Sequence, residues 1–438
     1  MKPRRVFLTY DDIAVSVFES QIRTPLLRLQ ALGLRHDFVG FRTVGALLTG
    51  RSRERIEALH RELDGDVMVF TTLPWFGRFD LRYPTVCVGR ALRRLGIGRG
   101  DGLIVHARGH YAGFAALSLK RAYPNLRLIA NLRGVPGPEA ALYRLPSWPR
   151  CRLDWRLIGR ALVERFNRWE RGLAREADVV VCVSKAFRNY LREQYALPDD
   201  RVEVVTTAVD TDLFRFDPSI RDETRRRLGV ESKLVLAFCG STHKWELPDS
   251  ALSLLCDLLA RDADLHLLAI TTQPGETRRA LSRTGVPHES VTVTSVPHEQ
   301  VPELLMAADV GLLIREDNIV NRVAAPTKFG EYLACGLPVL VSEGVGDTAE
   351  IVSSREAGWV VGAVEGRLGP QDIAEILKND RRRIMSDEFK RHCAEVGREL
   401  YSWDTQMRSL LQVYERAEQT GQGRTCAQTG SLEGLTPP

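Results

Sequence analysis

The sequence predicts an α/β protein of two units, each a parallel sheet wrapped by helices, and three observations lead there. Short β-rich runs alternate with helical patterns, as crossover-connected strands require. The alternation restarts once, at Leu234. The chain's 438 residues exceed one ordinary domain, and 44% hydrophobic residues with seven Trp suffice for two packed cores.

In the first unit the expected strands are Arg5–Thr9, His36–Phe41, Val67–Thr71, Leu103–His106, Leu126–Asn131, Val179–Val183 and Val202–Val205. In the second they are Leu234–Cys239, Leu265–Thr271, Val291–Val293, Val310–Ile314 and Val339–Val341. Two Rossmann-like units result, residues 1–206 and 207–395, joined near Ala208–Asp217. Sheets of this kind bind ligands at the carboxyl ends of their strands, so a site between the units is expected. Tyr401–Tyr414 carries apolar residues at helical spacing, with Trp403 as an anchor, in a segment 396–418. Residues 419–438 turn Gly/Gln/Thr-rich, end in Pro-Pro and read as a disordered tail.

Composition excludes several classes. The eight cysteines show no paired short spacing, which argues for a reducing cytoplasm and against a metal cluster. Acidic residues follow the N-terminal Met1–Tyr10 too soon for a signal sequence, and no apolar run reaches membrane-span length. A cytoplasmic protein is expected, soluble or peripheral on a membrane face. Residues 1–205 hold 35 Lys+Arg against 21 Asp+Glu, while the remainder holds 26 against 35. A basic first half suggests an acidic surface or acceptor. Tyr143–Glu176 interleaves nine arginines with Trp148, Trp155 and Trp169, a pattern suited to an anionic membrane leaflet, with an Arg-rich solvated helix as the alternative. No nucleic-acid-binding motif is present.

The most informative stretch is Ala325-Pro-Thr-Lys-Phe-Gly-Glu-Tyr-Leu-Ala-Cys-Gly-Leu-Pro-Val-Leu-Val-Ser342. Pro326 suits a first helical turn whose free amides face an anion. Thr327, Lys328 and Glu331 share one face, and Phe329 and Leu333 the other. Gly336 supplies a left-handed stop, and Pro338 opens the buried strand Val339–Val341. A solvated Lys328–Glu331 helix pair is the plain alternative.

This stretch resembles the nucleotide-sugar signature of glycosyltransferase family 4. Val181-Cys-Val-Ser184, Val209-Asp-Thr-Asp-Leu-Phe214, Gly240-Ser241 and Ala308-Asp309-Val310-Gly311 agree in the family's order, over about residues 100 to 415. The resemblance implies a two-domain GT-B architecture, with the two Rossmann-like units facing across a cleft and a C-terminal helix crossing back to the first. It implies a nucleotide-sugar donor, bound with Glu331 on the ribose hydroxyls and with helix amides, Lys328 and Lys244 on the diphosphate. Gly240, Ser241, Pro326 and Thr327 would line the same donor site.

The chain also departs from the family. Many members carry a second glutamate that contacts the transferred sugar, and that position is Val323 here. Glu316, Asn318, Asn321 and Arg322 of the preceding loop are the polar candidates instead. After the first strand, Asp11-Asp12 to Ser20-Gln21 replaces the usual Gly-Gly turn, and Val204-Val-Thr-Thr-Ala208 lacks the Pro-Asn that many relatives show.

In the first unit, Val105-His-Ala-Arg-Gly-His-Tyr-Ala-Gly113 follows a strand and opens a helix, so His106, Arg108 and Gly109 lie at a strand's carboxyl end. The resemblance turns this loop toward sugar and acceptor, with His106 donating to a sugar hydroxyl or relaying a proton, and a core histidine as the alternative. Arg133 and Glu139 are further acceptor-side candidates, or a structural ion pair. Asp210-Thr-Asp212 imitates a metal-binding pair but gathers no further carboxylates, so no metal and no cofactor are expected. The reading is a retaining, metal-independent glycosyltransferase acting on a glycan or lipid-linked acceptor of the cell envelope. The rivals are a nucleotide-sugar epimerase of the same architecture and a non-catalytic nucleotide-sugar-binding partner.

Overall fold

The computed structural model describes residues 3–13, 18–47, 50–72, 82–144, 155–241, 246, 248–283, 285–362 and 370–420. Lys244, Trp148, Cys151, Cys426 and residues 421–438 of the expected tail lie outside them.

Two all-parallel sheets organise the chain. The first contains β1 (Arg4–Asp12), β2 (Asp37–Thr43), β3 (Val67–Thr72), β4 (Leu103–Arg108), β5 (Leu126–Asn131), β6 (Val179–Cys182) and β7 (Val202–Val204), in the order β3-β2-β1-β4-β5-β6-β7. The second contains β8 (Leu234–Cys239), β9 (Leu265–Ile270), β10 (Val291–Thr294), β11 (Val310–Leu313), β12 (Val339–Ser342) and β13 (Gly358–Val361), in the order β10-β9-β8-β11-β12-β13. Every expected strand forms, because central strands covered by helices on both faces are largely apolar: β8 is so throughout, and the fully buried β4 and β9 depart from it only at His106, Arg108 and His266. The sequence reading missed β13. This edge strand of four residues opens on Gly358, at φ +147°, where a Cβ would lie 2.1 Å from the Val339 carbonyl oxygen, so its sequence looks like a turn.

Strand order reverses between β1 and β4 in one sheet and between β8 and β11 in the other. The carboxyl ends at these two reversal points are where a ligand crevice opens. Behind the second crevice, Asp309 is fully buried and receives Arg225 at 3.0 Å, the Val235 amide at 2.8 Å and Arg221. The Pro218–Leu228 helix is thereby fixed to the start of β11. This explains the Asp309 of the motif as a structural knot.

The helix Asp387–Tyr401 packs on the helix Thr327–Ala334 so closely that a Cβ on Gly397 would lie 2.5 Å from the Ala334 nitrogen. The chain then crosses over. Trp403–Gln419 forms a helix whose Trp403, Met407, Leu410, Val413 and Tyr414 share one apolar cluster with Leu29, Ile104, Ile129 and Val181 of the first unit. Val209 N–H donates to the Tyr401 carbonyl at 2.8 Å where the two crossings pass.

Candidate active site in the interdomain cleft

The second-sheet face is built on the helix Thr327–Ala334. Pro326 is its N-cap rather than its first residue, the Phe329 amide donates to the Pro326 carbonyl at 3.1 Å, and the Thr327 and Lys328 amides ahead of it lie before the first intrahelical bond. Gly336, at φ +80°, ends the helix, with Leu337 N–H donating to the Tyr332 carbonyl at 3.0 Å. Phe329, Gly330, Tyr332, Leu333 and Ala334 are all buried, so only Thr327, Lys328 and the end of Glu331 are offered to the cleft.

Lys328 Nζ lies 2.6 Å from Glu331 Oε2, and Glu331 is only 4% exposed. The pair is therefore not a solvated surface pair. Burial works against the Lys328 charge, but Cys239 and Glu331 outweigh it and hold the ammonium above its ordinary range. Since burial pushes the Cys239 thiol up to about 11, that thiol is neutral at pH 7 and Glu331 is the partner that keeps the charge. Tyr332 passes over Gly311, where a Cβ would lie 2.6 Å from its ring, and accepts the Cys239 amide at 2.7 Å. The end of β8 is thereby fixed beside Lys328. There the Ser241 N–H and hydroxyl both donate to Glu246 Oε2 at 2.6 Å, and Gly240 lies against the same carboxylate. Glu246 was not singled out from sequence, because it lies in a loop without motif.

The loop between β11 and the helix holds two corrections. Asn321 is 1% exposed and spends its amide on the Glu316 carbonyl at 2.9 Å, so it braces the loop instead of facing a sugar. Arg322 makes a two-pronged pair with Asp317 at 2.6 and 2.7 Å on the surface. Asn318 caps the turn by accepting the Asn321 amide at 3.1 Å. Val323, in the family's glutamate position, is buried and joins the first unit's core cluster.

The first-sheet face is assembled from distant segments. On β4, Ile104, His106 and Arg108 point to one side. His106 is 1% exposed, the Asn131 amide donates to its Nε2 at 3.0 Å, and its Nδ1 lies 2.8 Å from the Tyr414 hydroxyl. Burial pulls its pKa down to about 3. His106 is thus a neutral pin between β4, β5 and the crossing helix, and the expected catalytic role is corrected. Two residues on, Arg108 reaches the cleft. Its Nη2 donates to Gln21 Oε1, and Arg133 donates to the same oxygen at 3.3 Å. Burial, with mutual repulsion, lowers Arg108 to about 9, and burial lowers Arg133 to about 10. Gln21 Nε2 in turn lies 3.5 Å from the Thr327 hydroxyl, so one amide links both arginines to the start of the second-sheet helix. Gln21 stands on a π-helix, Glu19–Arg23, in the segment that replaces the family's glycine turn. That departure was its only sequence signal.

Gly109 has φ +82° and is the N-cap of the helix His110–Leu117. Glu139 lies against Gly134, where a Cβ would be 2.3 Å from its Oε1. Asp210 spends its carboxylate on the Asp212 and Leu213 amides at 3.1 and 3.4 Å, a local turn.

Comparison with known proteins agrees with this layout. The family model described as Glycosyltransferase Family 4 matches residues 26–213, and that described as Glycosyl transferases group 1 matches residues 233–379. A D-inositol 3-phosphate glycosyltransferase of Geodermatophilus obscurus is 30% identical over 262 residues, covering 57% of this chain and 54% of the relative. One from a Nocardioides species is 28% identical over 281 residues, covering 57% of this chain and 56% of the relative. The chain thus spans about half the length of the curated relatives it matches. Among solved structures, HepE of Anabaena in complex with UDP and glucose has a TM-score of 0.65 at 15% identity, covering 94% of this chain and 99% of that one. A glycosyltransferase from Rickettsia africae has a TM-score of 0.66 at 14% identity, covering 95% and 99%. These share the GT-B fold. With one glycosyltransferase family model laid over each of its two sheets, the chain belongs among the glycosyltransferases of GT-B fold.

Proposed function

We propose that this chain transfers a sugar from a nucleotide-sugar donor, with UDP as its nucleotide, to an acceptor that carries a phosphate. The observation that supports it is the meeting of the Lys328–Glu331 pair with Arg108 and Arg133 through Gln21 and Thr327. Glu331 holds the ribose hydroxyls, while Lys328 and the first-turn amides of its helix meet the charge that develops on the departing diphosphate. Lys244 is assigned to the same diphosphate from the family resemblance. Arg108 and Arg133 both donate to Gln21 Oε1, and an anionic acceptor group would relieve the repulsion between them. The relatives named D-inositol 3-phosphate glycosyltransferases and HepE bound to UDP support both halves of the reading. Transfer is retaining, on family resemblance, and needs no metal or other cofactor, because the lysines and helix amides meet the phosphate charge. A thermal-shift panel of UDP, GDP, ADP and TDP tests the donor. Stabilisation by UDP above the others, undiminished in EDTA, is expected; stabilisation by none, or only with added Mg²⁺, overturns it.

The acceptor is a cell-envelope glycan or lipid-linked phosphate met at an anionic membrane face. On the helix Trp155–Glu176, Arg160, Arg168, Arg171 and Arg175 are exposed along one stripe. Trp169 is partly buried, packed against Phe114 at 5.1 Å and under Arg165 at 4.7 Å, so the membrane attraction is assigned to the exposed arginines rather than to Trp169. No helix among the described residues is long and apolar enough to cross a membrane. Co-sedimentation with anionic but not neutral vesicles, released by salt and by replacing the four arginines with Gln, is expected. Equal binding to both vesicles removes the membrane from the proposal.

A further inference from the structure

One carboxylate joins two helices that belong to different sheets. The first unit's helix Lys185–Tyr195 begins after Ser184, whose hydroxyl accepts the Phe187 amide at 3.0 Å. Its next two free amides leave the unit. Lys185 N–H donates to Asp347 Oδ2 at 2.7 Å and Ala186 N–H to Asp347 Oδ1 at 2.9 Å. Asp347 stands at the N-cap position of its own helix, Thr348–Ser354, yet its side chain makes no bond there. Two helix N-termini, each a partial positive charge, therefore approach one another with a single carboxylate between them. Without that charge the approach would be repulsive.

The same contact grips the loop that precedes the donor helix. Ser184 Oγ–H donates to the Val323 carbonyl at 2.9 Å, from the first unit. Gly346, next to Asp347, donates its N–H to the Asn321 carbonyl at 2.9 Å. Gly346 has φ +49°, and a Cβ there would lie 1.9 Å from the Ala324 oxygen, so no other residue fits. The loop is thus held from both sides, and the tip that carries Asp347 is the piece common to both grips. The contact is tight, leaving a cavity of only about 10 Å³ beside Ser184, Ala325, Asp347 and Tyr401.

We propose that Asp347 is a closure latch. By capping the first unit's helix it holds the two units in the arrangement where Lys328 and Glu331 face Arg108 and Arg133, and it sets the Asn318–Ala325 loop at the same time. It is a positioning residue, touching neither donor nor acceptor. Hinge closure of this kind needs an interaction made only in the closed state, and a charged cap spanning the gap is one. The latch rests on contacts alone; only its effect on turnover depends on the transfer reading.

Hydrogen exchange and small-angle scattering on the full chain, without substrate, test it. In Asp347→Ala the Lys185 and Ala186 amides and the Asn318–Ala325 loop should all exchange about fivefold faster, the usual weight of a helix cap, and the radius of gyration should rise. Asp347→Asn, which keeps the shape but not the charge, should fall between Ala and wild type. Glu350→Gln, which removes only the exposed Lys185–Glu350 pair at 3.2 Å, should change neither measurement. Faster exchange confined to residues 344–354 would mean that Asp347 serves its own unit only, and would overturn the latch. So would exchange and radius unchanged from wild type in both Asp347 variants. Transfer assays with UDP-glucose then read the consequence: a lower kcat at unchanged donor KM supports positioning, and a raised donor KM alone contradicts it.

Discussion

The second-sheet face of the cleft comes from one contiguous stretch, Ala325–Ser342, together with the end of β8. The first-sheet face draws on Gln21, His106, Arg108, Asn131, Arg133 and Tyr414, which span most of the chain. The donor half is thus a local structure: a helix start, a charge pair one turn apart and a glycine stop. The acceptor half exists only when β4, β5, the π-helix and the crossing helix have come together. A change in the first should act where it is made. A change in the second should spread.

The largest expected effect is on the local half. Glu331→Ala removes the carboxylate proposed for the ribose and leaves Lys328 half-buried without its partner, a loss of roughly 1.5–3 kcal/mol in nucleotide affinity. Calorimetric titration with UDP checks it, and unchanged affinity in a folded variant would end the donor assignment. Lys328→Ala should lower kcat more than it weakens UDP binding, if the ammonium acts on charge that develops during transfer.

Arg133→Gln sharpens the contrast. It should raise the KM of a phosphate-bearing acceptor about tenfold, the weight of one charge-assisted hydrogen bond, with UDP affinity unaltered. If UDP affinity falls instead, the two arginines belong to the donor half.

Tyr414→Phe reaches the acceptor half through the crossing helix. It leaves the His106 Nδ1–H without an acceptor in a fully buried site, which should destabilise the fold by about 1–3 kcal/mol. Acceptor KM should shift with it, because Arg108 is two residues away on the same strand face. Urea unfolding monitored by circular dichroism reads the first, and a stability equal to wild type would show that the hydroxyl is not a partner.

Acid should separate the halves more gently. His36, His106 and His110, all in the first unit, are held down to about 4, 3 and 3 by burial. A folded pKa below the unfolded value means that the unfolded chain takes up protons first, so stability is lost as pH falls from about 6.5. Glu170 acts in the opposite sense. Burial raises it to about 8, so the native state already carries that proton. Near pH 5 unfolding of the first unit should therefore take up about two protons net, three by these imidazoles less the one that Glu170 releases, while in the second unit His266, also lowered by burial, acts in the same sense as the three. The pH dependence of the unfolding free energy measures this, and the first unit should be the one that melts.

The sequence by itself determined the sheets and the donor half. Strands buried on both faces must be apolar, and a helix start with its cap, charge pair and glycine stop is a matter of neighbours in the chain, so β8, β9, β12 and the Thr327–Ala334 helix are legible from composition and spacing. Only tertiary structure decided which polar residues face the cleft. His106, on β4, and Asn321, in the segment after β11, have the right chemistry, yet both are turned inward, because a buried polar group must find a partner and Tyr414, Asn131 and the Glu316 carbonyl supply it. Gln21 and Asp347 carry no motif and gain their meaning from residues more than a hundred positions away. Spacing along a chain fixes what a helix or strand presents. Which of those groups is left facing the cleft depends on what the rest of the fold has already claimed.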